Sequence, residues 1–143
     1  MNTRLSTPAW FGDLLDVSDV LAAKDRAEVV SWRGGTERTD ADADDVPPLT
    51  LRLAALGTVF ADQAAQHTSE QKKRVLGILE EVQRSGSEYD STAVATGFFE
   101  AFLNAWDKGF DLQAVWEYVG PESRAYCLAW NEFTVVPTPD WMR

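Results

Sequence analysis

The sequence predicts an all-α protein, a compact single-domain bundle of six to seven short helices, and three observations carry that prediction. Apolar residues recur at helical spacing through most of the 143 residues. Glycines, prolines and capping residues divide the chain into short segments. The one strand-like run, Thr134-Val135-Val136, is too short to found a sheet.

The first helix is expected after Thr7, a suitable cap, with Pro8 in its first turn and Trp10, Phe11, Leu14 and Leu15 on one side. A second starts near Ser18, runs through Val20, Leu21, Val29 and Val30 with Asp25 and Glu28 among its polar positions, and stops at Gly34-Gly35. Residues 34–48 read as an acidic linker that has almost nothing to bury and ends in Pro47-Pro48. A helix from about Leu49 to Gln66 follows, with Leu49, Leu53, Leu56 and Phe60 on one side.

Thr68 and Gln71 fit a capping box ahead of a helix carrying Val75, Leu76, Leu79 and Val82, closed by Ser85-Gly86-Ser87. Asp90 or Ser91 can cap the next, whose stripe is Val94, Phe98, Phe102 and Trp106 and whose end is Gly109. A short helix from about Leu112 to Val119 stops at Gly120, and Pro121 opens a last one with Tyr126, Trp130 and Phe133 on one stripe. Residues 135–143, with two prolines, are expected to be an irregular tail. The whole chain, 1–143, reads as one helical domain.

Composition narrows function mainly by exclusion. The formal charge is −10 and the pI about 4.4, a field that repels nucleic acid phosphates and anionic membrane surfaces but attracts a basic protein. Acidity that serves only solubility would look the same. Residues 36–49 carry −4 and residues 85–143 carry −6, the rest being nearly neutral. The N-terminus lacks a continuous apolar stretch, Gly12, Asp13 and Asp16 interrupting it, and no segment reaches the length of a membrane span. With a single Cys127, a cytoplasmic location is expected.

Thiol and histidine chemistry have little to work with. His67 is the only histidine and falls where it would cap a helix C-terminus, and Cys127 reads as a small buried hydrophobe. No cofactor or metal is expected. Asp40-Ala41-Asp42-Ala43-Asp44-Asp45 imitates the start of a calcium loop, but Asp45 stands where glycine is required and Leu51 where the closing glutamate belongs. No Gly-Lys-Ser/Thr element cradles phosphate, and Lys72-Lys73-Arg74 reads as a solvated helix face. No catalytic residue is assigned, although 23 acidic residues leave paired-carboxylate chemistry open.

Binding is therefore the preferred class. The candidate partner-binding residues are Asp40, Asp42, Asp44 and Asp45 in the linker, with Glu100, Asn104, Asp107, Asp111, Glu117 and Trp141 beyond it. Glu100, Asn104 and Asp107 share a helical face with Ala93 and Gly97, a small acidic side that can receive a neighbour closely, and the charges favour a partner as that neighbour. Trp116 and Trp130 read as core, and Trp141 as an exposed anchor.

The runs Gly97-Phe98-Phe99-Glu100-Ala101-Phe102-Leu103, Gly109-Phe110-Asp111-Leu112 and Gly120-Pro121-Glu122-Ser123-Arg124-Ala125-Tyr126, within about residues 90–134, resemble small uncharacterised proteins of actinobacterial type. The resemblance implies an immunity protein of a secreted toxin system, binding a basic cognate toxin domain by occlusion, and carries over no active site. The alternatives are an acidic regulatory or adaptor protein, such as a DNA-mimic antagonist, and a small enzyme using paired carboxylates. Oligomeric state is not legible.

Overall fold

The computed structural model describes residues 7–35 and 45–143. Its helices are α1 (Ala9–Val17), α2 (Asp19–Trp32), α3 (Leu49–Asp62), α4 (Ser69–Ser85), α5 (Glu88–Ala93), α6 (Glu100–Asp107), α7 (Gln113–Trp116) and α8 (Pro121–Phe133). Helices α5 and α6 are joined without a break by a π-helical segment, Val94–Phe99. That leaves seven helical rods and no strand among the described residues, an all-α bundle as the periodicity predicts.

Most boundaries follow the capping chemistry. Ser18 caps α2 by accepting from the Leu21 amide, and Thr68 with Gln71 forms the expected capping box on α4. Three differ. Pro8, not Thr7, occupies the cap of α1, because the Thr7 hydroxyl is taken up by Arg52 Nη1 at 2.9 Å. Ser87 caps α5 a turn ahead of the expected start, which leaves Asp90 free to accept from Trp10 Nε1 at 2.9 Å and tie α5 to α1. Helix α3 ends at Asp62, and the 3₁₀ turn Ala64–Gln66 completes the stretch expected to be helical.

The π segment sits at the centre, packed against α3, α4 and α8. Phe98, Phe99 and Phe102 are all fully buried, and Phe60 of α3 stacks within 6.0 Å of both Phe98 and Phe102. Val94, Gly97, Phe98 and Phe99 are all buried, so the segment is enclosed by neighbours on more than one side. Two glycines permit that enclosure. A Cβ at Gly57 would lie 2.5 Å from the Phe98 carbonyl oxygen, and one at Gly97 would lie 2.6 Å from that of Thr50. Backbone meets backbone there, and alanine at either position would force α3 and the π segment apart.

Asp25, a polar position of α2 in the sequence reading, is 5% exposed and forms a two-pronged ion pair with Arg52 at 2.9 and 2.7 Å. The Arg52 guanidinium also lies 4.5 Å from the Phe11 ring centre. Both charges are therefore fully engaged within the fold, as burial demands. Elsewhere, Glu80 of α4 caps α8. Its carboxylate accepts from the Glu122 and Ser123 amides and the Ser123 hydroxyl at 2.9 to 3.0 Å, a favourable placement of negative charge at a helix N-terminus.

Candidate functional site

Three places could hold chemistry. The first is a buried pair, Ser18 Oγ and His67 Nε2, 2.8 Å apart. His67 Nδ1 lies 2.9 Å from the Gln63 carbonyl, which can only accept, so Nδ1 carries a proton, and in the neutral ring Nε2 is the acceptor for the Ser18 hydroxyl. This has the outline of a nucleophile and its base. Ser18 is, however, 3% exposed and already caps α2, and the ring is covered by Phe60 at 5.2 Å. The pair pins α2 to the turn before α4.

The second is an open groove of about 790 Å³ between α1 and α4, lined by Asp13, Asp16, Glu70 and Glu81 with Lys73 and Arg74 between them. Carboxylate catalysis at neutral pH calls for an acid held above the usual range. Glu81 is held below it, by a hydrogen bond from Ser85 and then by Arg84. The alternating signs make this groove a solvated surface.

The third is a cleft of about 370 Å³ between α6 and the end of α8, lined by Leu103, Asn104, Trp106, Asp107, Trp130, Asn131, Thr134 and Val136. Both helices end at its rim, and both end the same way. In α6 the Phe110 amide bonds the Ala105 carbonyl and Gly109 has φ +113°. In α8 the Val136 amide bonds the Asn131 carbonyl at 2.8 Å and Val135 has φ +58°. Each is the reverse turn that satisfies the last helical carbonyls, a motif that needs a left-handed residue and normally takes glycine. A β-branched residue there is strained by roughly 1–3 kcal/mol. Val135 is the only non-glycine with positive φ among the described residues. The turn holds Val135 87% exposed beside Phe133, 82% exposed, so an apolar lip borders the cleft.

Asn131, 1% exposed, lies at the base of the cleft. Its Nδ2 donates to Thr138 Oγ1 at 3.3 Å and faces Met142 Sδ at 3.6 Å, whereas its Oδ1 has no hydrogen-bond partner. Sulfur only accepts, which fixes the nitrogen on that side and leaves the oxygen opposite. One turn back in α8, burial pushes the Cys127 thiol up to about 12, and it is packed as a small hydrophobe.

The cleft gathers two of the sequence-predicted binding residues, Asn104 and Asp107, both exposed. Glu100 is half-buried and accepts from the Tyr126 hydroxyl at 2.8 Å; burial, then this bond, raises the tyrosine pKa. Asp111 is exposed and accepts from the Ala114 amide at 3.3 Å, holding the start of α7, and Glu117 is exposed at the end of that helix. Asp45 is half-buried and its Oδ1 accepts from Trp32 Nε1 at 3.2 Å, while Asp40, Asp42 and Asp44 lie outside the described residues.

Two expectations need correction. The small face at Ala93 and Gly97 receives the chain's own α3 and not a partner, since Gly97 meets the Thr50 carbonyl. Gly97 is buried while Asn104 and Asp107 are exposed, so they do not form one binding face. Trp141 is no exposed anchor either. The tail folds back through the 3₁₀ turn Asp140–Met142, with Met142 2% exposed and Trp141 half-buried between Trp106 and Trp116, each 5.8 Å away. Asn131, Phe133, Val135 and Val136 went unassigned as binding residues, because a valine at a helix end carries no signal of its strained turn.

Over residues 35–134 the chain matches the family described as Domain of unknown function (DUF7674). It belongs to that family. The matched span begins just after α2 and ends at Thr134, so it contains the π segment and the end of α6, whereas Val135 and Val136 of the α8 turn lie just beyond it. Neither a curated protein nor a solved structure matches the chain. Among the described residues no helix is long and apolar enough to cross a membrane.

Proposed function

We propose that this DUF7674 member is a protein-binding module for a basic partner, acting by occlusion in the cytoplasm as an immunity protein neutralises its cognate toxin. The observation that carries the reading is the lip of the α6–α8 cleft. Phe133 and Val135 stay in solvent, and a strained turn keeps one of them there. Backbone strain that persists at a rim of exposed apolar side chains is a feature of recognition sites, where a partner covers the apolar area. Asp107, which lines that cleft, on a chain of charge −10, matches a basic partner, because complementary charge speeds encounter and selects it.

Co-expression with the protein encoded beside it tests the reading. A one-to-one complex that weakens as salt rises, together with protection of the host from that protein, is the expected result. No association at low salt and no protection would overturn it.

A further inference from the structure

We infer that the α6–α8 cleft is a receptor for a guanidinium group, the arginine side chain of the basic partner. The inference rests on the binding reading above and adds to it the group that is recognised.

Four features of the cleft agree on a flat cation rich in donors. First, two helix C-termini converge on it, and their final carbonyls make this end of each helix partially negative. Neither α6 nor α8 has a basic residue in its last turn, and Lys108, just past α6, does not line the cleft. Second, the polar groups lining the cleft include the carboxylate of Asp107 and the amide oxygens available from Asn104 and Asn131. Third, Trp106 and Trp130 supply indole surface, which attracts a cation, and most strongly a planar one that can stack.

The fourth feature is Asn131 Oδ1, a buried acceptor without a partner. Leaving such a group unsatisfied is unfavourable, and an incoming N–H donor recovers that loss. Guanidinium carries five N–H donors in a rigid plane, so one group can serve an amide oxygen and a carboxylate while its face lies on an indole. A lysine ammonium offers three donors at one point and cannot stack. The cleft volume, about 370 Å³, falls at the small end of the range for ligand pockets, about 300–1,000 Å³. The apolar lip outside it is surface that a protein, rather than a free metabolite, would cover.

Titration with N-acetyl-L-arginine methylamide, followed by NMR on the Trp106 and Trp130 indole and Asn131 amide signals, tests this. Saturable shifts confined to the cleft are expected, with a dissociation constant of about 1 mM, as suits one side chain. The neutral citrulline analogue and the blocked lysine should each bind on the order of tenfold more weakly. Asp107→Asn, an exposed change, and Asn131→Leu should each abolish the discrimination between arginine and citrulline, whereas Glu81→Gln in the α1–α4 groove should leave it intact. Equal response to arginine and citrulline overturns the inference, as do shifts spread over the acidic surface or no effect of Asp107→Asn. Tighter binding of free L-arginine than of the blocked form overturns the assignment to a protein side chain. The two readings can fail separately. Arginine binding in the cleft without any protein complex removes the partner, and a complex indifferent to these variants removes the guanidinium.

Discussion

Two helix ends face each other across one cleft, and they solve the same problem with different residues. Helix α6 turns back on Gly109, for which a positive φ is unstrained, and the space a Cβ would occupy is empty. Helix α8 makes the same turn on Val135, for which it is not. Helix α2 closes likewise on Gly34, at φ +98°, with the Gly35 amide on the Val30 carbonyl. Two of three such ends therefore follow backbone chemistry alone. The third keeps a side chain at a conformational cost, and that side chain is almost entirely in solvent. A cost with no return in packing points to a return elsewhere, and the cleft beside it is the nearest place for one.

Exchanging the residues is the sharpest way to break this contrast. Gly109→Val should destabilise the protein by about 2 kcal/mol, since the αL conformation costs a β-branched residue that much with no contact to offset it. Urea unfolding would show the loss as a lower midpoint at unchanged slope. No loss would mean that this turn tolerates valine generally, and Val135 would cease to be informative.

Cys127 lies in the middle of the buried stripe of α8, between Ser123 and Asn131. The thiol moves from an ordinary value of 9.0 to about 12 on burial. A folded-state value above the unfolded one stabilises the protein fully below pH 9, and that contribution declines as pH rises toward 12. Between these limits the unfolded chain has released a proton that the folded chain retains, so stability falls with pH by about 1.4 kcal/mol per unit from this group. Cys127→Ala should flatten that part of a stability–pH curve measured from pH 9 upward, leaving a residual slope from Tyr126, whose pKa is raised in the same direction. An unaltered slope would place the thiol in contact with water.

Val135→Gly is the reverse of the first exchange and should have the opposite sign. Relief of the left-handed valine, less the extra entropy glycine loses on folding, leaves a gain of about 1 kcal/mol. Partner binding should weaken in the same variant, because half of the apolar lip is gone. A stabilised protein that binds its partner less tightly would mark Val135 as held for function. A stabilised protein that binds equally well would leave its strain without a purpose.

The contrast also explains which features were legible in the sequence. Gly34 and Gly109 announced their helix ends because glycine is the residue the turn prefers, and Thr68 with Gln71 announced α4 through reciprocal side-chain bonds. The end of α8 was silent because valine signals extended chain, and Thr134-Val135-Val136 accordingly read as a scrap of strand. The π segment was silent as well. Phe98, Phe99 and Phe102 all fit an ordinary helical stripe, and nothing in their spacing marks the extra residue in the turn. Asp107 and Asn104 were found by charge and spacing, whereas Asn131 was not, since an asparagine on a helix reads as solvated until its neighbours are known. Asp25 misled for the same reason, its partner Arg52 lying 27 positions away.

The smallest expected effect on stability comes from the residue with the most exposed apolar ring. Phe133 follows Trp130 by three positions, and its ring lies 6.4 Å from that of Trp130, yet it remains 82% exposed because α8 ends there and no later segment crosses it. Phe133→Ser removes apolar area that is already in water, so the folded and unfolded states lose nearly the same amount, and stability should change by no more than about 0.5 kcal/mol. The same change takes an aromatic anchor from the proposed interface, where truncating one commonly costs about 2 kcal/mol or more. Binding should therefore fall by roughly thirtyfold while the melting temperature stays put. Loss of stability with binding preserved would instead put Phe133 in the fold's own packing. That outcome would take the lip out of the proposed interface and leave the cleft to be judged on Asn131 and Asp107 alone.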